Sequence, residues 1–231
     1  EKWIREKIET ELESLIKLKK IKDNNSEIRA LAYNLYEKNG VVKRENVKFI
    51  LEKLGQTERK ILRDIGIKFG RYHIFLHKLF KPSSVSLRIL LWKNYFQKYH
   101  SLEPPVFGLN FFEKKENTSK DFMLLCGFEN FDKIYVRIDI LERLFILIFN
   151  SKGEGLEKQK EIKMVPEMLN LLGCNKENFK KLLKKMDYKT YEKDNEIYFK
   201  YTPVKKSFDR NKKIKKNIES PFSKLVQLNI K

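Results

Sequence analysis

The sequence predicts a mainly α protein, with an N-terminal helical bundle followed by small α+β units, the last of them winged-helix-like. Three observations predict it. Apolar residues recur at i, i+3, i+4 through the first part of the chain; the periodicity fades around Pro104-Pro105 and KKENTSKD; and the last third reads as helix, turn, helix and hairpin. The expected divisions are 1–100, a helical bundle with a basic central motif, and 121–150, a helix–strand–helix unit. After them come 162–203, the winged-helix-like unit, and 204–231, a basic tail with a terminal docking helix.

A first amphipathic helix is expected from Trp3 to about Leu18, with Ile4, Ile8, Leu12, Leu15 and Ile16 on one side. Ser26 can cap a second, whose inner face is Ile28, Leu31, Ala32 and Leu35, with Asn39-Gly40 as its stop. A third runs from Arg44 to Leu54, and Thr57 can cap the short TERKILRDI helix.

The stretch from Ile61 to Phe96 is the densest mixture of apolar, aromatic and basic residues. It holds seven Lys/Arg against one acid, Asp64, which suits a polyanion. IKF and RYHIFL read as extended chain around Gly66 and Gly70, and Lys81-Pro82 breaks the path. Ser83 or Ser84 can cap the next helix, with Leu87, Leu90, Leu91 and Tyr95 as its buried stripe. Candidate nucleic-acid-binding residues here are Lys68, Arg71, Tyr72 and His73, then Lys78, Lys81 and Arg88. Tyr72, Phe75, Trp92 and Tyr198 are candidate stacking faces. The alternative is a core element with a solvated basic rim.

The segments GIKFGRYHIFLHKLFKPSSVSLRILLW, LLCGFENFDKIYVRIDILERL and VPEMLNLLGCNKENFKKLLKKMDY, in that order, resemble the C-terminal part of alphaproteobacterial RNA helicases related to the mitochondrial degradosome helicase. These are superfamily-two DExH proteins. His77 departs from the pattern, where such relatives carry proline, and the helicase core itself is missing. The resemblance implies an accessory region that holds single-stranded RNA beside an upstream motor. It also implies ATP and magnesium for the parent protein and no cofactor for this chain. Lacking an initiator Met, the chain is expected to be a fragment or a processed product.

Downstream, Tyr99 to Asp121 reads as an exposed connection, Phe122 to Cys126 as a short helix and KIYVRI as a strand. Asp139 and Glu142 form a capping-box pattern opening a helix through Phe149, and SKGEGLEKQKE reads as a linker. Pro166 fits the first turn of a helix that Gly173 ends, and Asn175 can cap the next. There Phe179, Leu182, Leu183 and Met186 face inward. Lys180, Lys181 and Lys184, on the other side, complete the candidate binding residues. Tyr188–Tyr191 and Ile197–Tyr201 flank Asp194-Asn195 as a hairpin. LLCG and LLGC look alike, but that similarity is too short to mark a duplication. The tail from Val204 to Ile218 carries seven basic residues against Asp209, and SPFSKLVQL reads as a docking helix.

A net charge of +19 favours nucleic acid as partner, and no apolar run approaches a membrane span. Cys126 and Cys174, each in an apolar setting, read as free thiols of a reducing cytoplasm. There is no phosphate loop, DExH pair or nucleophile elbow. His73 and His77 have the spacing of a metal pair but no glutamate between them, so no metal is expected. A protein-interaction scaffold, docking a nuclease or a ribosome-associated protein on the basic surface, is the alternative function.

Overall fold

The computed structural model describes residues 2–21, 25–96, 101–114, 118–151, 161–193 and 196–202. The tail helix expected within 204–231, most of the 151–161 linker and the Asp194-Asn195 turn lie outside them. The fold is mixed α+β and mostly helical.

The chain enters through α1 (Lys2–Glu11) and α2 (Glu13–Lys19), two helices where one was expected. The break at Leu12 lets Leu12 and Leu18 both reach the core, while α1 buries no residue fully. A first unit follows: α3 (Ser26–Glu37), β1 (Val41–Lys43), α4 (Lys48–Lys53), α5 (Gln56–Asp64), β2 (Ile67–Phe69) and β3 (His73–Leu76). The second is α6 (Pro82–Tyr95), β4 (Phe111–Glu113), α7 (Lys120–Leu125), β5 (Phe128–Phe131) and β6 (Ile134–Arg137). The third is α8 (Ile138–Asn150), β7 (Ile162–Lys163), α9 (Pro166–Leu172), α10 (Lys176–Lys185), β8 (Tyr188–Lys193) and β9 (Glu196–Tyr201).

Each unit builds the same small antiparallel sheet. The strand orders are β1-β3-β2, β4-β6-β5 and β7-β9-β8, so the last strand of each unit lies between the other two. The helix before each hairpin turns into its strand through a residue of positive φ: Gly66 (104°), Gly127 (90°) and Asp187 (63°). Among the described residues one sheet topology therefore recurs three times, with two α-helices between the first strand and the hairpin in the first and third units and one in the second, and region 1–100 is not a pure bundle but contains a sheet. The expected 121–150 unit is split: its strand closes the second sheet, whereas α8 packs on α9 and shares the core of the third unit.

The first unit has a core of its own, whereas Phe111, Ile134 and Val136 of the second sheet share the core of the third unit. Leu31, Leu35, Leu62, Ile67, Ile74 and Leu76 fill the first unit, each with no exposure. Full burial of such a side chain contributes about 1.5–3 kcal/mol. Val41, Phe75 and Ile138 form a smaller cluster joining the units.

Several local expectations change. Asn25, not Ser26, caps α3, accepting from the amides of Glu27 and Ile28. Gly55, not Thr57, precedes α5. Pro82 takes the first turn of α6, so Ser83 and Ser84 lie inside the helix and donate to Glu11 instead. The α6 stripe is rotated: Ser84, Val85, Arg88 and Ile89 are buried, whereas Leu90, Leu91 and Tyr95 are 56%, 39% and 81% exposed. Asp139 does not cap α8; it pairs with Arg137 at 2.7 Å. As expected, Pro166 opens α9, Gly173 ends it with φ 68°, and Asn175 caps α10 through the Asn178 amide. Among the described residues no helix is long and apolar enough to cross a membrane.

Candidate nucleic-acid interface

The Gly70–His73 turn between β2 and β3 is where the three units meet. Glu142 of α8 reaches across and accepts the backbone N–H groups of Arg71 (2.5 Å), Tyr72 (3.0 Å) and His73 (2.8 Å). Three successive amides around one oxyanion form an anion nest, here filled by the protein's own carboxylate. Gly70 is required beside it, because a Cβ there would run into the Glu142 carboxylate.

The His73 ring completes the joint. Its Nδ1 lies 3.2 Å from Glu142 Oε1 and its Nε2 2.8 Å from Glu129 Oε2, on β5. Lys43 of β1 holds the other Glu129 oxygen at 2.6 Å. Burial pushes the His73 pKa down, but hydrogen bonds and charge from Glu129 and Glu142 outweigh it, so the net shift is upward. Burial pushes the Glu129 carboxyl up, and His73 and Lys43 reverse that to a net lowering. The two carboxylates address opposite sides of the ring and do not converge on one ion. Among the described residues no group of His, Cys, Asp and Glu is arranged to hold a metal.

Two expected binding residues are thereby corrected. His73, 2% exposed, is part of this joint and cannot meet a phosphate. Arg88, 3% exposed, donates to the carbonyls of Asn39 (2.9 Å) and Leu79 (2.7 Å), tying α6 to the first unit. Burial lowers its pKa to about 10. Phe75, 4% exposed, is likewise core rather than a stacking face. Trp92 is half-buried against Phe122, and Tyr198 stacks on Tyr191.

The remaining candidates lie at the surface in two groups. Lys68, Arg71, Tyr72, Lys78 and Lys81 are exposed along the first hairpin and the turn after it, with Lys78 3.3 Å from Glu13. On α10, Lys180 pairs with Glu192 at 2.7 Å and Lys181 with Glu113 at 3.2 Å. Lys184 makes no ion pair among the described residues, and neither do Lys176, Lys189, Lys193 and Lys200 around it.

Above the joint opens a cleft of about 710 Å³, which sequence reasoning did not anticipate. Tyr72, tilted 31° against Phe145 with ring centroids 4.3 Å apart, and Leu141 line its floor. Arg44, Arg59 and Arg71 from the first unit and Tyr201 from the third stand around it. Arg44 donates to the Gly70 carbonyl, and Arg59 to those of Leu51 and Leu54. Arg71 lies beside the Tyr72 hydroxyl. The signal available in the sequence was the acid Glu142 set in the apolar ILERLFILIF run, which needs a buried partner. No family model, curated protein or solved structure matches this chain.

Proposed function

We propose that this chain is an RNA-binding accessory region of an ATP-dependent RNA helicase, holding single-stranded RNA beside a motor that lies outside it. The observation that carries the reading is the lysine face of α10 next to the β8–β9 hairpin. Helix, strand, two helices and hairpin, with the last strand central, support a winged-helix-like reading, in which the last helix, α10, and the hairpin face nucleic acid. Five lysines there make no ion pair among the described residues, so their charge is available to phosphates. The first unit repeats the plan, with α5 and the Lys68–Arg71 hairpin in the corresponding places. The helicase parentage comes from the sequence resemblance, which assigns ATP and magnesium to the motor. The reading also places the protein in the cytoplasm.

Titration of a labelled single-stranded RNA over a series of salt concentrations tests it. Binding with a steep inverse salt dependence supports the reading, and no binding at low salt refutes it. One observation favours a second reading, a scaffold for a nuclease or a ribosome-associated protein. Leu90, Leu91 and Tyr95 on α6 and Trp3 and Ile4 on α1 are large, apolar and exposed. Absence of RNA binding combined with capture of such a partner would favour it.

A further inference from the structure

The cleft where the three units meet has a composition that neither the α10 lysines nor the joint beneath it explains. Its floor is aromatic and apolar: Tyr72, 38% exposed, lies on buried Phe145 beside Leu141. Around the floor stand three arginines. Four acids also line it: Glu129 is spent on Lys43 and His73, Glu52 faces Lys48 at 3.7 Å, and Glu45 and Asp187 are offset by Lys43, Lys48 and Lys185, which add to the three arginines of the lining. Arg44, Arg59 and Arg71 pair with no carboxylate among the described residues, and Arg44 and Arg59 are held in place by backbone carbonyls instead. Fixed guanidinium forks with unspent charge are suited to phosphate oxygens. A flat ring at the floor is suited to the face of a base, which only an unstacked strand can offer. Tyr201, 46% exposed, supplies a second ring from the third unit. At about 710 Å³ the cleft is of a size that encloses a small ligand.

We propose that this cleft seats an unstacked nucleotide of a single-stranded RNA, its base on the Tyr72 ring and its phosphates on Arg44, Arg59 and Arg71. The proposal rests on the RNA-binding reading and adds to it a specific site, distinct from the phosphate-tracking lysines of α10. Bridging the first and third units, the bound strand would run from the β2–β3 turn toward the end of β9.

The experiment uses the full chain and a fluorescent oligouridylate, with Arg71→Gln, Tyr201→Ala and, as a comparison outside the cleft, Lys184→Gln. Both altered side chains of the cleft are substantially exposed, and circular dichroism melts verify that each variant folds as the parent does. Tyr201→Ala is expected to weaken binding by about tenfold at every salt concentration, as loss of a stacking face does. Arg71→Gln is expected to weaken it and flatten the salt slope, and Lys184→Gln to flatten the slope with a smaller loss. A 4-thiouridine photocrosslink is expected on the peptide carrying Tyr72 or Tyr201. Polyglutamate should not compete, nor should a duplex of equal length bind better. If the parent binds the oligouridylate but both cleft variants bind like it and crosslinks map only to α10, the cleft proposal is overturned while the RNA-binding reading stands. Equal competition by polyglutamate, or preference for duplex, overturns the cleft proposal too. If the parent does not bind at all, it is the RNA-binding reading that fails, and the cleft proposal falls with it.

Discussion

His73 Nδ1 lies 3.2 Å from Oε1 of Glu142 across 69 residues of sequence, and the same oxygen accepts the His73 backbone amide at 2.8 Å. The side chain and main chain of one residue thus share a single acceptor. Removing that acceptor should be costly. Glu142→Ala leaves three amides without a partner and should lower stability by about 3–5 kcal/mol, whereas Glu142→Gln, which keeps an acceptor oxygen, should lose less. Gly70→Ala pushes a methyl into the same carboxylate. Combined with Glu142→Ala it should cost less than the two single losses added together. Urea denaturation of the four proteins measures both; additive losses would mean that the two positions do not share a site.

The joint should give stability a bounded pH range. His73 holds its proton more tightly folded than unfolded, so its contribution is complete below its ordinary value of 6.5 and disappears as pH rises through the raised folded value. Glu129 works in the other direction: its contribution is complete above its ordinary 4.5 and is lost as pH falls through the lowered folded value. The melting temperature should therefore decline as pH rises above 6.5, and His73→Gln should remove that decline while lowering the maximum. A parent curve that stays flat on the whole alkaline side of 6.5 would contradict it.

Arg88 should prove structural. Arg88→Met leaves the Asn39 and Leu79 carbonyls without their donor and should cost about 2–4 kcal/mol by chemical denaturation. Under conditions where the variant is folded, its RNA affinity and salt slope should match the parent's. A changed slope would return Arg88 to the interface.

Phosphate contacts should be countable. Replacing Lys68, Arg71 and Lys78 together by Gln, or separately Lys180, Lys181 and Lys184, should weaken binding to all RNA sequences alike. Each contact truly lost flattens the salt slope by about 0.7 for a single strand. Both sets should lose less than three contacts' worth, because Lys180 and Lys181 already face Glu192 and Glu113 and Lys78 faces Glu13. A full three-contact loss from either set would show that its ion pairs open on binding.

Much of the third unit was legible because its signals are local. Pro166, Gly173 and Asn175 act on the backbone next to them, and the hairpin that follows is long enough to show strand character. The first strand of each unit has three residues or fewer, too short to alternate, so β1, β4 and β7 were invisible. The threefold plan was hidden for a related reason: its shared mark is a backbone angle, met by glycine at 66 and 127 but by aspartate at 187. LLCG and LLGC, which look alike, occupy different places, one leading into β5 and the other joining α9 to α10. On α6 the apolar count misled because neighbours chose the inner face, burying Arg88 for two carbonyls and leaving Leu90 and Leu91 outside. For the site, composition picked out Arg71 and Tyr72 but could not pair them with Arg44, Arg59 or Tyr201, which only the fold brings near.

The nest at Gly70–His73 also sets an order of events during synthesis. At roughly 5–20 residues per second, Glu142 leaves the ribosome several seconds after His73. Until then the first hairpin's three amides face water, and Glu129, arriving earlier, can engage only the far side of the ring. A nascent chain paused before α8 should therefore display the β2–β3 turn to proteases, and release of the next helix should close it.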